Sequence, residues 1–125
     1  MLARLLLPLP LIGLALVEPA GASSPPGAPA VDAAAIYKAR CGSCHELDQN
    51  RTGPRHRGVV GRKSGTVPGY VYSPALKAAG IVWSRETLDK WLQGPRKLVP
   101  GTRMIMAVPD PAVRKAIVGY LEAAR

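Results

Sequence analysis

Four stretches of the chain place apolar residues on one helical face, and none alternates with the two-residue period of a half-buried strand. The first begins at Asp32, a good N-cap, carries Ile36 and Tyr37, and must stop or bend at Cys41-Gly42-Ser43-Cys44. Ser73-Pro74 opens a short second helix that runs to Gly80, with cap, first-turn proline and closing glycine in order. Ser84, with Glu86 in the first turn, starts a third on which Leu88, Trp91 and Leu92 share a face, and Pro95 forbids its continuation. Asp110-Pro111 starts the fourth, with Val113, Ile117, Tyr120 and Leu121 at i, i+4, i+7 and i+8. The remainder is punctuated by Gly53, Pro54, Gly58, Gly61, Gly65, Pro68, Gly69, Pro100 and Gly101. So much loop costs chain entropy unless something large and apolar fills the middle.

The N-terminal segment reads as an export signal, not as part of the fold. Met1 to Arg4 is a short positive start, Leu5 to Val17 is apolar, and Ala20-Gly21-Ala22 supplies the small-x-small cleavage pattern. The apolar run falls short of the ~20 residues that span a bilayer, and Pro8 and Pro10 interrupt it. Residues 1–22 are therefore expected to be a secretory signal peptide, with an uncleaved anchor as the alternative. Residues 23–31, small and proline-rich, read as a flexible tail, and residues 32–125 as one domain. At 125 residues in all, the chain has room for one modest core and no more.

Composition narrows the chemistry. Two cysteines exclude a multi-disulfide scaffold and any four-thiolate zinc or iron–sulfur site. Seventeen Lys and Arg against eight Asp and Glu give a net charge of +9, and removal of residues 1–22 takes away one charge of each sign. A surface that basic attracts nucleic acid, anionic lipid or an acidic protein patch.

The sharpest motif is Cys41-Gly42-Ser43-Cys44-His45. C-x-x-C-H is the attachment sequence of c-type haem: thiols three positions apart on a helical turn reach two vinyl groups, and the next residue carries its imidazole under the iron. A thioredoxin-type redox pair needs a βαβ pattern that is absent. A zinc site lacks ligands beyond His45 and His56, and a Cys41–Cys44 disulfide is the bare structural alternative. For a sixth iron ligand the chain beyond its leader offers the thioethers of Met104 and Met106 and the imidazole of His56.

With these residues in view the sequence resembles the class I cytochromes c, in the branch that holds mitochondrial cytochrome c and the soluble cytochromes c of purple bacteria. The resemblance runs from about Asp32 to Leu121 and is carried, beyond the motif, by Gly53-Pro54, Gly61-Arg62-Lys63, Pro68-Gly69-Tyr70-Val71-Tyr72, Gly80-Ile81-Val82-Trp83 and Pro100-Gly101-Thr102-Arg103-Met104. It implies an all-α fold of about four helices, with long Gly/Pro-rich loops wrapped around one haem c attached through Cys41 and Cys44. It implies His45 and Met104 as the iron's two axial ligands, and the Pro54 carbonyl as acceptor for the free ring nitrogen of His45. Arg62, Tyr72 and Trp83 would hold the buried propionates, Tyr70 would brace the loop beside them, and Thr102 would lie near the propionate edge. Trp91, where the family more often has tyrosine, would pack near Met104. Tyr37, Ile117 and Tyr120 would form the crossing of the first and last helices. An unpaired buried carboxylate is expensive, so the donors assigned to the propionates also answer a physical need.

The chain departs from the family pattern at three positions. Met106 stands where an aromatic usually meets the exposed haem edge, Leu76 where an asparagine usually joins a water network, and His56 where an apolar residue usually packs on the haem. His56 reads as a packed core residue, a surface one, or an alternative iron ligand.

With both axial positions filled, the iron has no vacancy for oxygen or peroxide, and the expected role is one-electron transfer without substrate chemistry. The thioether favours ferrous iron. Arg40, Arg96, Lys97 and Arg103 come from segments that converge on the haem edge in the family and would form a positive ring for acidic redox partners, such as a cytochrome bc1-type complex and an oxidase or reaction centre. A generally basic surface is the alternative, since Arg51, Arg55 and Arg57 lie elsewhere. The reading is a monomeric, soluble periplasmic carrier, with transient contact to anionic membrane as a secondary possibility and nucleic acid set aside. The rival readings are an electron-accepting subunit of a dehydrogenase or oxidase complex, and a haem peroxidase or sensor with an open sixth site.

Overall fold

The computed structural model describes residues 31–125. The leader, and the tail up to its last residue, lie outside them. Five helices follow one another: α1 (Ala33–Cys41), α2 (Pro74–Ala78), α3 (Arg85–Gln93), α4 (Pro95–Leu98) and α5 (Pro111–Ala123). No strand forms among the described residues; the nearest approach is an isolated antiparallel bridge between Lys63 and Val82.

Local chemistry sets each helix start. The Asp32 carboxylate accepts from Ala35 N, the Ser73 hydroxyl from Leu76 N, and the Asp110 carboxylate from Ala112 N and Val113 N. Ser84 and Thr87 close a reciprocal capping box on α3. The second helix stops at Ala78, one residue before its cap and two before Gly80, which takes φ +65°.

The count of helices exceeds the four expected. Pro95 does end α3, because it cannot donate to that ladder, but the same residue opens the extra turn α4 from its first position. Proline's fixed φ suits a first helical turn, whose N–H groups have no partner in any case.

The core is organised on α5. Ile117, Val118 and Leu121 are buried, Ile117 with no exposed surface at all, and the helix packs on α1 and α3. Fully burying a side chain of that size is worth about 2–3 kcal/mol. The Tyr37 ring of α1 lies 4.8 Å from that of Tyr120 on α5, and Arg114 of α5 donates to Asp89 of α3 at 2.7 Å. Leu88, Trp91 and Leu92 of α3 complete the wall, as their shared face requires.

Loops close the other side. Ser64, almost wholly buried, donates to the Leu76 carbonyl and accepts from Ile81 N, clamping three segments with one hydroxyl. Gly65 takes φ +73°, and a Cβ there would lie 2.8 Å from Lys77 Cα, so the clamp and the close approach of α2 need glycine. Leu76, at the departure noted in the sequence, packs its side chain against the core. No helix among the described residues is long and apolar enough to cross a membrane.

Candidate functional site

The helices and loops enclose a largely apolar cavity of about 420 Å³, within the ~300–1,000 Å³ range usual for cofactor sites. All eleven residues singled out in the sequence line it: Cys41, Cys44, His45, Pro54, Arg62, Tyr70, Tyr72, Trp83, Trp91, Thr102 and Met104.

Cys41 is the last residue of α1. The chain then turns, with Cys44 N and His45 N both donating to the Cys41 carbonyl at 3.1 and 2.8 Å, which brings both thiols and the imidazole to one wall. Both thiols are free of disulfide. Burial, and secondarily Cys44, pushes the Cys41 thiol up to about 11, so it stays protonated at neutral pH.

His45 is closely confined. Its Nδ1 lies 2.8 Å from the Pro54 carbonyl, which fixes the tautomer and leaves Nε2 free to bind. The Gly53 backbone lies against the same ring: a Cβ there would sit 2.1 Å from His45 Cε1. Burial lowers the His45 pKa, opposed by the bond to Pro54, so the ring is a neutral donor.

Met104 occupies the loop after α4. The Trp91 indole N–H donates to its sulfur at 3.2 Å, and the Trp91 ring packs edge-on against Trp83 at 5.3 Å. Thus α3 presents a hydrogen-bond donor to the thioether, with Thr102 buried two residues before it.

The donors expected near the propionates divide into two kinds. The Tyr72 hydroxyl accepts from Val67 N at 3.3 Å, and burial raises its pKa, so it keeps a proton to give. Trp83 Nε1 donates to no group among the described residues. Arg62 points its guanidinium at the carbonyls of Arg55, at 3.0 Å, and Arg57, while still lining the cavity. Tyr70 donates to the Thr52 carbonyl at 2.6 Å, tying its loop to the segment before Gly53.

Of the basic residues expected to form a ring, Arg40 and Arg103 line the cavity. Arg96 and Lys97 lie exposed on α4 and do not line it. Beside Arg103, Val71, Ile105 and Met106 are exposed apolar residues that also line it. Two contacts were not read from the sequence. Asn50 accepts from Arg55 N at 3.0 Å and donates to the Pro68 carbonyl at 3.1 Å; an Asn in a turn-rich loop was the available signal. His56, left open between three readings, is packed: its ring stacks on His45 with centroids 4.0 Å apart. Burial, then the neighbouring His45 and Arg62, lower its pKa to about 3.

The residues present fit a haem. An apolar cavity, two adjacent thiols, a tautomer-fixed imidazole, a thioether and hydrogen-bond donors are the parts that such a group requires. No protein-family model matches the chain. It is 46% identical over 90 residues to cytochrome c type-1 of Ascaris suum, covering 70% of this chain and 80% of that one. It is 45% identical over 103 residues to cytochrome c2 of Rhodopila globiformis, covering 80% and 96%. Among solved structures it superposes on cytochrome cH from Methylobacterium extorquens with a TM-score of 0.69 at 39% identity, covering 73% of this chain and 94% of that one. The chain belongs to the class I cytochromes c, which are electron-transfer proteins and not enzymes and carry one covalently bound haem c.

Proposed function

We propose that this cytochrome is a periplasmic one-electron carrier with His45 and Met104 as axial ligands, shuttling between a cytochrome bc1-type complex and an oxidase or reaction centre. The observation that carries the ligation is that a tautomer-fixed imidazole and an N–H-bonded thioether line the same cavity. Bound haem supplies the ferric/ferrous couple.

The chain's own residues do the rest. Cys41 and Cys44 would hold the group covalently through thioethers, and His45 and Met104 would hold its iron and exclude other ligands from it. Thioether ligation and an apolar surround both favour the ferrous state. Arg62, Tyr72, Trp83 and Thr102 supply donors for the propionates, which an apolar cavity could not otherwise hold as anions. Export is supported by the leader pattern of residues 1–22.

Partner docking is assigned to the cavity mouth, where Arg40 and Arg103 flank the exposed Val71, Ile105 and Met106. A small apolar contact ringed by positive charge attracts an acidic partner quickly and releases it quickly. The protein acts as a monomer in this reading, and its reduction rates by an acidic partner fall as salt rises.

The test is the far-red absorption of the ferric holoprotein. A sulfur-to-iron band is expected in the wild type and absent in Met104→Ala. A wild type without the band, or a variant that keeps it, overturns the assignment and makes Met106 the next ligand to test.

A further inference from the structure

The residue that the electron-carrier reading leaves without a role is His56. A polar ring occupies a position in contact with the ligand histidine, and two features of its setting are specific. Its ring lies nearly parallel to that of His45, with an interplanar angle of 18° and a centroid separation of 4.0 Å. Its Nδ1 and the Tyr37 hydroxyl share a hydrogen bond of 3.0 Å. Tyr37 belongs to α1, and its ring packs against Tyr120 of α5.

Three contacts therefore surround the imidazole of His45. The Pro54 carbonyl holds its Nδ1, the Gly53 backbone abuts its Cε1, and the His56 ring covers a face. The first two restrain one edge of the ring. A stacked neighbour adds resistance to tilting, but only if that neighbour is itself held. His56 is held at two points, by Tyr37 at Nδ1 and by its own backbone N–H, which donates to the Glu46 carbonyl at 2.9 Å. An aliphatic side chain would fill the same space without a plane to align against.

We propose that His56 is a positioning residue for His45, fixing the plane of the ligand imidazole by stacking, with the Tyr37 hydroxyl locking His56 in turn. The contact of α1 with α5 is thereby connected to the orientation of the iron's ligand. Orbital overlap between the imidazole and the iron depends on that orientation, so the pair sets the electronic structure of the ferric centre as well as the packing around it. The inference rests on His45 being the proximal ligand, as in the reading above.

The test uses the holoprotein and three variants: His56→Leu, His56→Phe and Tyr37→Phe. The readout is the spread of the haem methyl proton shifts of the ferric protein by NMR, which follows the plane of the axial imidazole, together with the reduction potential. His56→Leu is expected to redistribute the methyl shifts and move the potential. His56→Phe keeps a stackable ring and is expected to restore most of the wild-type pattern. Tyr37→Phe, which removes one hydroxyl and leaves the helix crossing filled, is expected to give a smaller redistribution in the same sense. If His56→Leu is less stable but leaves shifts and potential unchanged, the residue is packing alone and the proposal fails. If His56→Leu does not fold, Tyr37→Phe decides: an unchanged shift pattern overturns the proposal. The hyperfine-shifted ring-proton signals of His45 in the same ferric spectra separate this failure from failure of the ligation reading, because an imidazole that does not bind the iron does not give them.

Discussion

The walls of the cavity that carry His45 and Met104 are built differently. Around His45 the chain leaves almost no freedom: a carbonyl holds one nitrogen, a glycine backbone presses on one carbon, and another imidazole covers a face. Around Met104 the restraint is packing against the core and one indole N–H on the sulfur, in a loop whose neighbours Ile105 and Met106 are exposed. The imidazole is thus positioned by contacts within the protein. In the proposed ligation the thioether would depend more on the iron and on Trp91 for its place, so the Met104 side is expected to be the first to let go under stress.

The sharpest way to break this contrast is Gly53→Ala. Its Cβ would lie 2.1 Å from His45 Cε1 and 2.5 Å from both ring nitrogens, with no flexible atom to give way. The expected cost is about 3 kcal/mol of holoprotein stability by denaturant unfolding, and a loss within error of zero would show slack around the imidazole. Trp91→Phe tests the other wall by removing the N–H from the sulfur while keeping an aromatic ring. A global loss of about 1 kcal/mol is expected, with the far-red band vanishing at a lower denaturant concentration than the rest of the fold. Coincident transitions would show that Met104 is held as firmly as His45.

The smallest effect belongs to the frame that carries neither ligand. Arg114 holds the Asp89 carboxyl below its usual range, mainly through their hydrogen bond. A depressed carboxylate contributes stability that is complete above the ordinary Asp range and disappears as pH falls through the folded-state value. Asp89→Asn is therefore expected to cost about 0.5 kcal/mol at neutral pH and to flatten the acid end of the stability curve. The far-red band should be untouched, as measured by pH-dependent unfolding of both forms.

Helix placement was legible because the caps and periodicity agreed. Asp32, Ser73, Ser84 and Asp110 each do what an isolated N-cap does, and such local signals do not depend on the tertiary fold. The turn at Pro95 was not, since the same residue can end one helix and begin another, and only the path of Gly94 decides. The site's residue types were readable because the C-x-x-C-H spacing is rigid chemistry. Its clamps were less so: the Gly53 contact and the His56 stack join residues that periodicity does not relate, and Asn50 binds Pro68 across a loop. Of the four basic residues gathered by resemblance, two line the cavity and two lie exposed on α4, a division that charge alone does not reveal.

The packing of α1 on α5 sets the order in which the molecule can be assembled. Tyr37 and Tyr120 meet only after nearly the whole described chain has been looped back on itself, and closing such a long loop spends entropy before any contact returns it. The attachment cysteines sit at the last residue of α1 and three residues beyond it, so they are available while that closure is still incomplete. A group anchored at that stage would give the remaining segments a fixed surface to condense upon, with the final helix docking as a latch on a chain already shortened.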